Sequence, residues 1–266
     1  MALANFTSDL RESIRGESRL AMVGSVLWRI QNYGLVAALK YVFLQRGRPE
    51  QMHPHKLCLD LQGLIGLLAL PPKNSSHVVE RINSSMHRLR ESQLNENLKE
   101  IKPVVAVGAS ITRLVVLDLV IAKIQPDLVI ETGTQHGVSA SVVSESISHQ
   151  KLGVRFKSID VANQALIRRE DSVEYLVLDT PIRVQFRKET ICDLGKRILF
   201  FHDSDHSYEN MIFEFDWAWN YLKVKALVSD DIDGNYAFKN FCRRNNLTGY
   251  RVTLDDGPAV GLVIRD

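Results

Sequence analysis

Cysteine is scarce in this chain of 266 residues: Cys58, Cys192 and Cys242 are the only three, far apart and odd in number. They offer neither a disulfide framework nor the paired spacing of a structural zinc site, and a reducing cytoplasm is the simplest compartment. Long apolar runs are missing as well. No segment reaches the roughly 18–20 apolar residues that a membrane-spanning helix needs. The most apolar stretch, Leu57 to Leu70, carries Asp60 and Gln62 and stops at Pro71-Pro72, so it reads as a buried helix. Asp9, Arg11, Glu12 and Arg15 interrupt the N-terminus before the apolar core of a signal peptide develops. Nor does one sign of charge dominate. Thirty-three basic and 31 acidic residues leave +2, without the concentrated basic surface that nucleic acid demands.

What is present, 45% hydrophobic and 24% charged residues, suits one α/β domain with an attachment. Residues 1–109 lack strand patterning and read as a helical extension, a lid or a dimer contact; a homo-oligomer is the expected state. Val79, Ile82, Met86 and Leu89 recur at helical spacing after a Ser76 cap, and Ser110 to Ile124 predicts another helix, ended by Pro126. From Asp127 the texture changes. Short apolar runs at Leu128–Ile130, Val154–Ile159, Tyr175–Leu178, Ile198–Phe201 and Ala226–Ser229 alternate with helix-length segments, which predicts βαβ units and a parallel sheet. Tyr250–Leu254 and Ala259–Ile264, joined through Asp256-Gly257, read as a closing antiparallel hairpin. The fold expected for 110–266 is therefore a Rossmann-like doubly wound α/β sheet of seven strands.

The sharpest local feature is the segment Asp127-Leu-Val-Ile-Glu-Thr-Gly-Thr-Gln-His-Gly-Val-Ser-Ala140. It reads as a strand ending in Glu131, a loop with Gly133 and Gly137, and a helix beginning near Val138. Ligands of open α/β sheets bind beyond the carboxyl ends of the strands. The Gly-x-Gly-x-x-Gly fingerprint of dinucleotide binding is absent, which disfavours an NAD-dependent oxidoreductase. Glu131 would repel a pyrophosphate but suits the ammonium and sulfonium groups of S-adenosylmethionine. Asp160, ending the next strand, can accept hydrogen bonds from ribose hydroxyls, or else cap the following helix.

Two acidic clusters follow later strands. Phe201-His-Asp-Ser-Asp-His-Ser-Tyr-Glu209 holds Asp203, Asp205 and His206, and Val228-Ser-Asp-Asp-Ile-Asp233 holds Asp230 and Asp231. Carboxylates converging on one cleft repel each other unless a cation or proton intervenes, and oxygen donors suit Mg²⁺. An imidazole titrates where a general base is useful. The blander roles are open too: Asp205 as a helix cap, Asp230-Asp231 as a solvated loop, and His206 as a hydrogen-bonded structural histidine. Phe213, Phe215, Trp217 and Trp219 read as sheet-facing core. His53, His55, Cys58 and His77 lack compact ligand spacing.

These segments, in this order, resemble the class I S-adenosylmethionine-dependent methyltransferases. More narrowly, they are similar to the group containing cephalosporin hydroxylase-like proteins and macrocin-type sugar O-methyltransferases. The resemblance implies that Glu131, Gly133 and Gly137 line the methionine portion of the cofactor, that Asp160 holds the ribose, and that Asp179 contacts the adenine. It implies Mg²⁺ on Asp203, Asp230 and Asp231, with His206 as base and Asp205 as the alternative. The expected reaction is O-methylation of a small molecule in natural-product or sugar tailoring. The alternatives are N-methylation of an amine, or a methyltransferase-shaped binding protein without turnover. The chain departs from the class pattern at Gln135, where many members have a third glycine, and at Lys223-Val-Lys225, where many have a Pro-Gly-Gly turn.

Overall fold

The computed structural model describes residues 58–70, 77–95, 110–161, 172–178, 197–254 and 258–265. The strands are β1 (Cys58–Leu59), β2 (Leu128–Thr132), β3 (Arg155–Asp160), β4 (Glu174–Val177), β5 (Ile198–His202), β6 (Ala226–Ser229), β7 (Tyr250–Val252) and β8 (Val260–Ile264). The helices are α1 (Leu61–Leu68), α2 (Val78–Asn95), α3 (Ile111–Ile124), α4 (Val138–His149), α5 (Tyr208–Asp216) and α6 (Ala237–Arg244). They surround one sheet in the order β1-β7-β8-β6-β5-β2-β3-β4. The strands from β4 to β6 run parallel, and β8 alone is antiparallel to both of its neighbours, β6 and β7.

Every residue of β2, β5 and β6 is buried, as parallel strands covered on both faces require. Alternation along each strand sorts the side chains into two cores. Val129, Leu199, Phe201 and Val228 face α1 to α4. Leu128, Ile130, Ile198, Phe200 and Leu227 face α5 and α6. Phe215, Trp217 and Trp219 belong to the second core, as their spacing predicts.

Two expectations change in detail. Eight strands, not seven, are present among the described residues, because Cys58–Leu59 pairs in parallel with Arg251–Val252. The described part of the Leu57–Leu70 stretch is thus an edge strand followed by α1, not one helix. Asp60 divides them: its carboxylate accepts from the Gly63 N–H at 2.8 Å and caps α1. The textural change near residue 110 is also not the edge of the core. Leu64, Leu68, Val78, Ile82 and Met86, all before it, pack into the first core. Residues 1–57 of the expected extension lie outside the described residues.

A buried carboxylate joins three of the helices on this face. Asp118 of α3 accepts from the Arg81 guanidinium of α2, the Ser146 hydroxyl of α4 and, at 3.3 Å, the Gln150 amide. Burial pushes its carboxyl above the ordinary range, while Arg81 and Gln150 pull it back. Removing one member of such a pair strands the other. Asp118→Ala should cost about 3 kcal/mol of stability, read by urea unfolding, with Asp118→Asn recovering part of the loss.

Candidate active site

The parallel strands β3, β2, β5 and β6 end side by side on one edge of the sheet. Strand order reverses at β2, which has β3 on one side and β5 on the other; a crevice forms at such a switch point. The strand exits are stitched together by backbone: Gly133 N–H donates to Ile159, Asp203 N–H to Thr132, and Asp230 N–H to His202, at 2.8, 2.9 and 3.0 Å. Gly133 makes this possible. Its φ is 90°, and a Cβ there would sit 2.1 Å from the Asp203 carbonyl oxygen. Gly137 (φ 84°) starts α4 with no side-chain cap, leaving N–H groups at the helix start.

Between the glycines, Gln135 adopts the left-handed conformation (φ 44°), so the departure from a third glycine does not change the turn. The Asp160 carboxylate holds it there, accepting from Gln135 N–H at 2.7 Å and from Val161 N–H at 2.6 Å. Asp160 is partly exposed at the cleft. Glu131 is not. It is fully buried, accepting from the Ser139 and Ser158 hydroxyls at 2.5 Å each. Strand register sets Ser158 beside it. As placed, Glu131 braces the glycine loop against α4 and β3 and does not open on the cleft. Burial raises its carboxyl, against the two serine hydroxyls and Arg113.

The acidic cluster contains a residue that sequence reasoning missed. Arg113, in the first turn of α3, reaches across with one nitrogen, Nη1. It donates to Asp203 at 2.6 Å and to Asp230 at 2.7 Å, and the guanidinium lies 5.7 Å from the Phe201 ring centre. Its side chain is 3% exposed. Burial alone would lower its pKa, but Asp203, Asp230 and Glu131 raise it overall. Asp203 moves well above the ordinary carboxyl range: burial drives it, Arg113 opposes, and the Asp230 and Glu131 carboxylates add to it.

His206 completes the cluster, with ligand-type atoms of Asp203, His206 and Asp230 all within 4.8 Å of one another. Asp231 does not join it. Its backbone is left-handed (φ 47°), and its carboxylate lies near Gly234 in its own turn. Asp205 bends back to accept from the Ser207 N–H and hydroxyl at 3.2 and 2.7 Å, while Ser207 itself caps α5. As an oxygen cage for Mg²⁺ the arrangement does not fit. Two carboxylates converge instead of three, the third donor is an imidazole, and a guanidinium already engages both carboxylates.

Behind the cluster lies a second network that the sequence pattern did not single out. Glu214 of α5 accepts from Thr132, His202 Nδ1, Ser204 and Asn210 at 2.6–3.0 Å. Burial would raise its carboxyl, but these partners hold it below the ordinary range. The His202 ring meets His206 edge-on, centroids 5.4 Å apart. Nε2 of His206 and Oδ1 of Asp230 are buried without hydrogen-bond partners among the described residues. In the glycine loop, His136 Nδ1 is likewise without one. The single histidine ending the apolar β5 and the spacing from His202 to Glu214 are the only sequence signals for this network. Asp179 lies outside the described residues.

Residues 104–226 match the family described as Rhamnosyl O-methyltransferase/CmcI. The likeness is to methyltransferases. This match bears out the resemblance to the group of cephalosporin hydroxylase-like and macrocin-type proteins over that stretch, which spans the glycine loop, Asp160 and Asp203 to His206. No curated protein matches the chain. Among solved structures, the O-methyltransferase from Bacillus cereus in complex with SAH is similar at 18% identity, over 68% of this chain and 91% of that one, with a TM-score of 0.49. TomG, the O-methyltransferase of Streptomyces achromogenes involved in tomaymycin synthesis, with SAM, gives 13%, 68%, 88% and 0.45. A CmcI structure with Mg and SAM gives 13%, 48%, 53% and 0.38.

Burial, and next His202, push the His206 imidazole down to about 4. It is therefore neutral at neutral pH. With the folded value below the unfolded one, stability is full above about pH 6.5 and is lost as the pH falls toward about 4. An NMR titration of the His206 ring should centre near 4 and His206→Asn should reduce the acid loss; a midpoint between 6 and 7 would contradict this placement.

Proposed function

We propose that this chain transfers the methyl group of S-adenosylmethionine to an oxygen of a small molecule, in natural-product or sugar tailoring. The observation that carries the reading is the juxtaposition of two parts at the β2 switch point. One is a positive-φ glycine loop tied to Asp160; the other is the neutral, half-buried His206 imidazole on the adjoining strand exit. The family match over residues 104–226 supports the same reaction class.

The residues fit the cofactor. A Cβ at Gly133 would fill the space where the loop crosses the β5 exit, and the uncapped start of α4 offers N–H groups toward a carboxylate. Gly133 and Gly137 would border the methionine portion, with Asp160 at the ribose. Glu131 acts one layer further in, as a positioning residue through Ser139 and Ser158. S-adenosylmethionine, when bound, supplies an electrophilic methyl group on a sulfonium centre. The protein's share is alignment and one proton transfer. His206 Nε2, without a hydrogen-bond partner, accepts the proton of the acceptor hydroxyl. The Asp230 carboxylate, which favours protonation of this ring, stabilises the imidazolium that results.

Calorimetry with S-adenosylhomocysteine, S-adenosylmethionine and NAD tests the reading. Both sulfur ligands should bind and NAD should not; binding of NAD alone would overturn it. Gly133→Ala should weaken S-adenosylhomocysteine by about tenfold or more, because the loop must move off the β5 exit. Gly153→Ala, with nothing within 4 Å of the added methyl, should leave binding unchanged.

A further inference from the structure

Two carboxylates from separate strand exits, Asp230 buried and Asp203 half-buried, share one guanidinium nitrogen, although the resemblance places a divalent ion there. We propose that Arg113 is the resident cation of the Asp203–Asp230 pair, and that it keeps the cleft metal-independent by occupying the charge and space a divalent ion would take.

Three observations support this. The guanidinium donates to both carboxylates at 2.6 and 2.7 Å, so Oδ2 of each is already engaged. Its side chain is 3% exposed. An ion entering between the carboxylates would leave a buried guanidinium with its counter-charges neutralised, or force it from its seat over Phe201. Finally, Asp231, which would bring a third carboxylate, is turned into its own loop. A guanidinium does not dissociate or deprotonate, so one of the two carboxylate charges is balanced whatever the metal concentration. Arg113 thereby fixes Asp203 beside His206 and is a positioning residue for the base.

The inference rests on the proposed methyl-transfer site, but its test is read separately. Mn²⁺ is titrated into the wild-type protein, Arg113→Met and Arg113→Lys, and free Mn²⁺ is followed by electron paramagnetic resonance. S-adenosylhomocysteine calorimetry on each sample reports the fold of the cofactor site. The wild type and Arg113→Lys should leave Mn²⁺ free up to about 1 mM, the weak end of hard-cation sites, whereas Arg113→Met should bind it about tenfold more tightly or better. Adding Asp230→Asn to Arg113→Met should abolish that gain. Wild-type binding as tight as that of Arg113→Met would overturn the proposal, as would an Arg113→Met protein that binds S-adenosylhomocysteine but gains no Mn²⁺. If Arg113→Met does not fold, the wild-type titration decides alone: Mn²⁺ held well below 1 mM contradicts the proposal, and its absence supports it. Loss of S-adenosylhomocysteine binding by the wild type itself would sink the methyl-transfer reading while leaving the metal result interpretable.

Discussion

The buried ion triad of Arg113, Asp203 and Asp230 constrains everything near the cleft. Two largely buried carboxylates side by side cannot both stay ionised without a compensating charge. The matching charge comes from α3, a helix whose other residues are mostly apolar and packed against the sheet. The first turn of α3 must therefore sit over the exits of β5 and β6. Ser110 fixes that turn by accepting from the Arg113 N–H at 3.1 Å. Further along the same helix, Asp118 repeats the device with Arg81 as its partner. One helix thus carries two buried charged groups, each requiring a partner from elsewhere in the fold.

The glycine loop depends on the same arrangement. Gly133 lies so close to the Asp203 backbone that no side chain fits, which sets Asp203 and His206 beside the loop. Glu131 and Asp160 then hold the loop from below and from its rim. The cleft is assembled from short backbone contacts between strand exits, and its titratable groups are held by partners in the second layer. For acyl- or alkyl-type transfer to a hydroxyl, such a site needs little more than alignment and a neutral base.

Much of this was legible in the sequence, for identifiable reasons. Strands buried on both faces appear as continuous apolar runs, so β2, β5 and β6 were placed almost to the residue. Gly133, Asp160 and Asp203 were legible because each ends or directly follows a strand, and Gly137 and His206 because each lies in the short loop after one. The two-residue β1 carries too little pattern to separate from α1, and only its pairing with β7 defines it. Glu131 was expected at the cleft, but strand alternation turns it toward Ser158 on the α4 side. Arg113 was invisible because its partners lie 90 and 117 residues away; a lone arginine in an apolar helix carries no local signal of a partner. Asp231 reads like Asp230 in sequence, and only the left-handed backbone separates them.

The most direct measurement is a crystal structure with S-adenosylhomocysteine and millimolar Mg²⁺ present. The account predicts the homocysteine portion over Gly133–Gly137, the ribose at Asp160, and the Arg113 guanidinium still bridging Asp203 and Asp230. A Mg²⁺ ion seated between those carboxylates with Arg113 displaced, or the ligand bound away from the glycine loop, would contradict it.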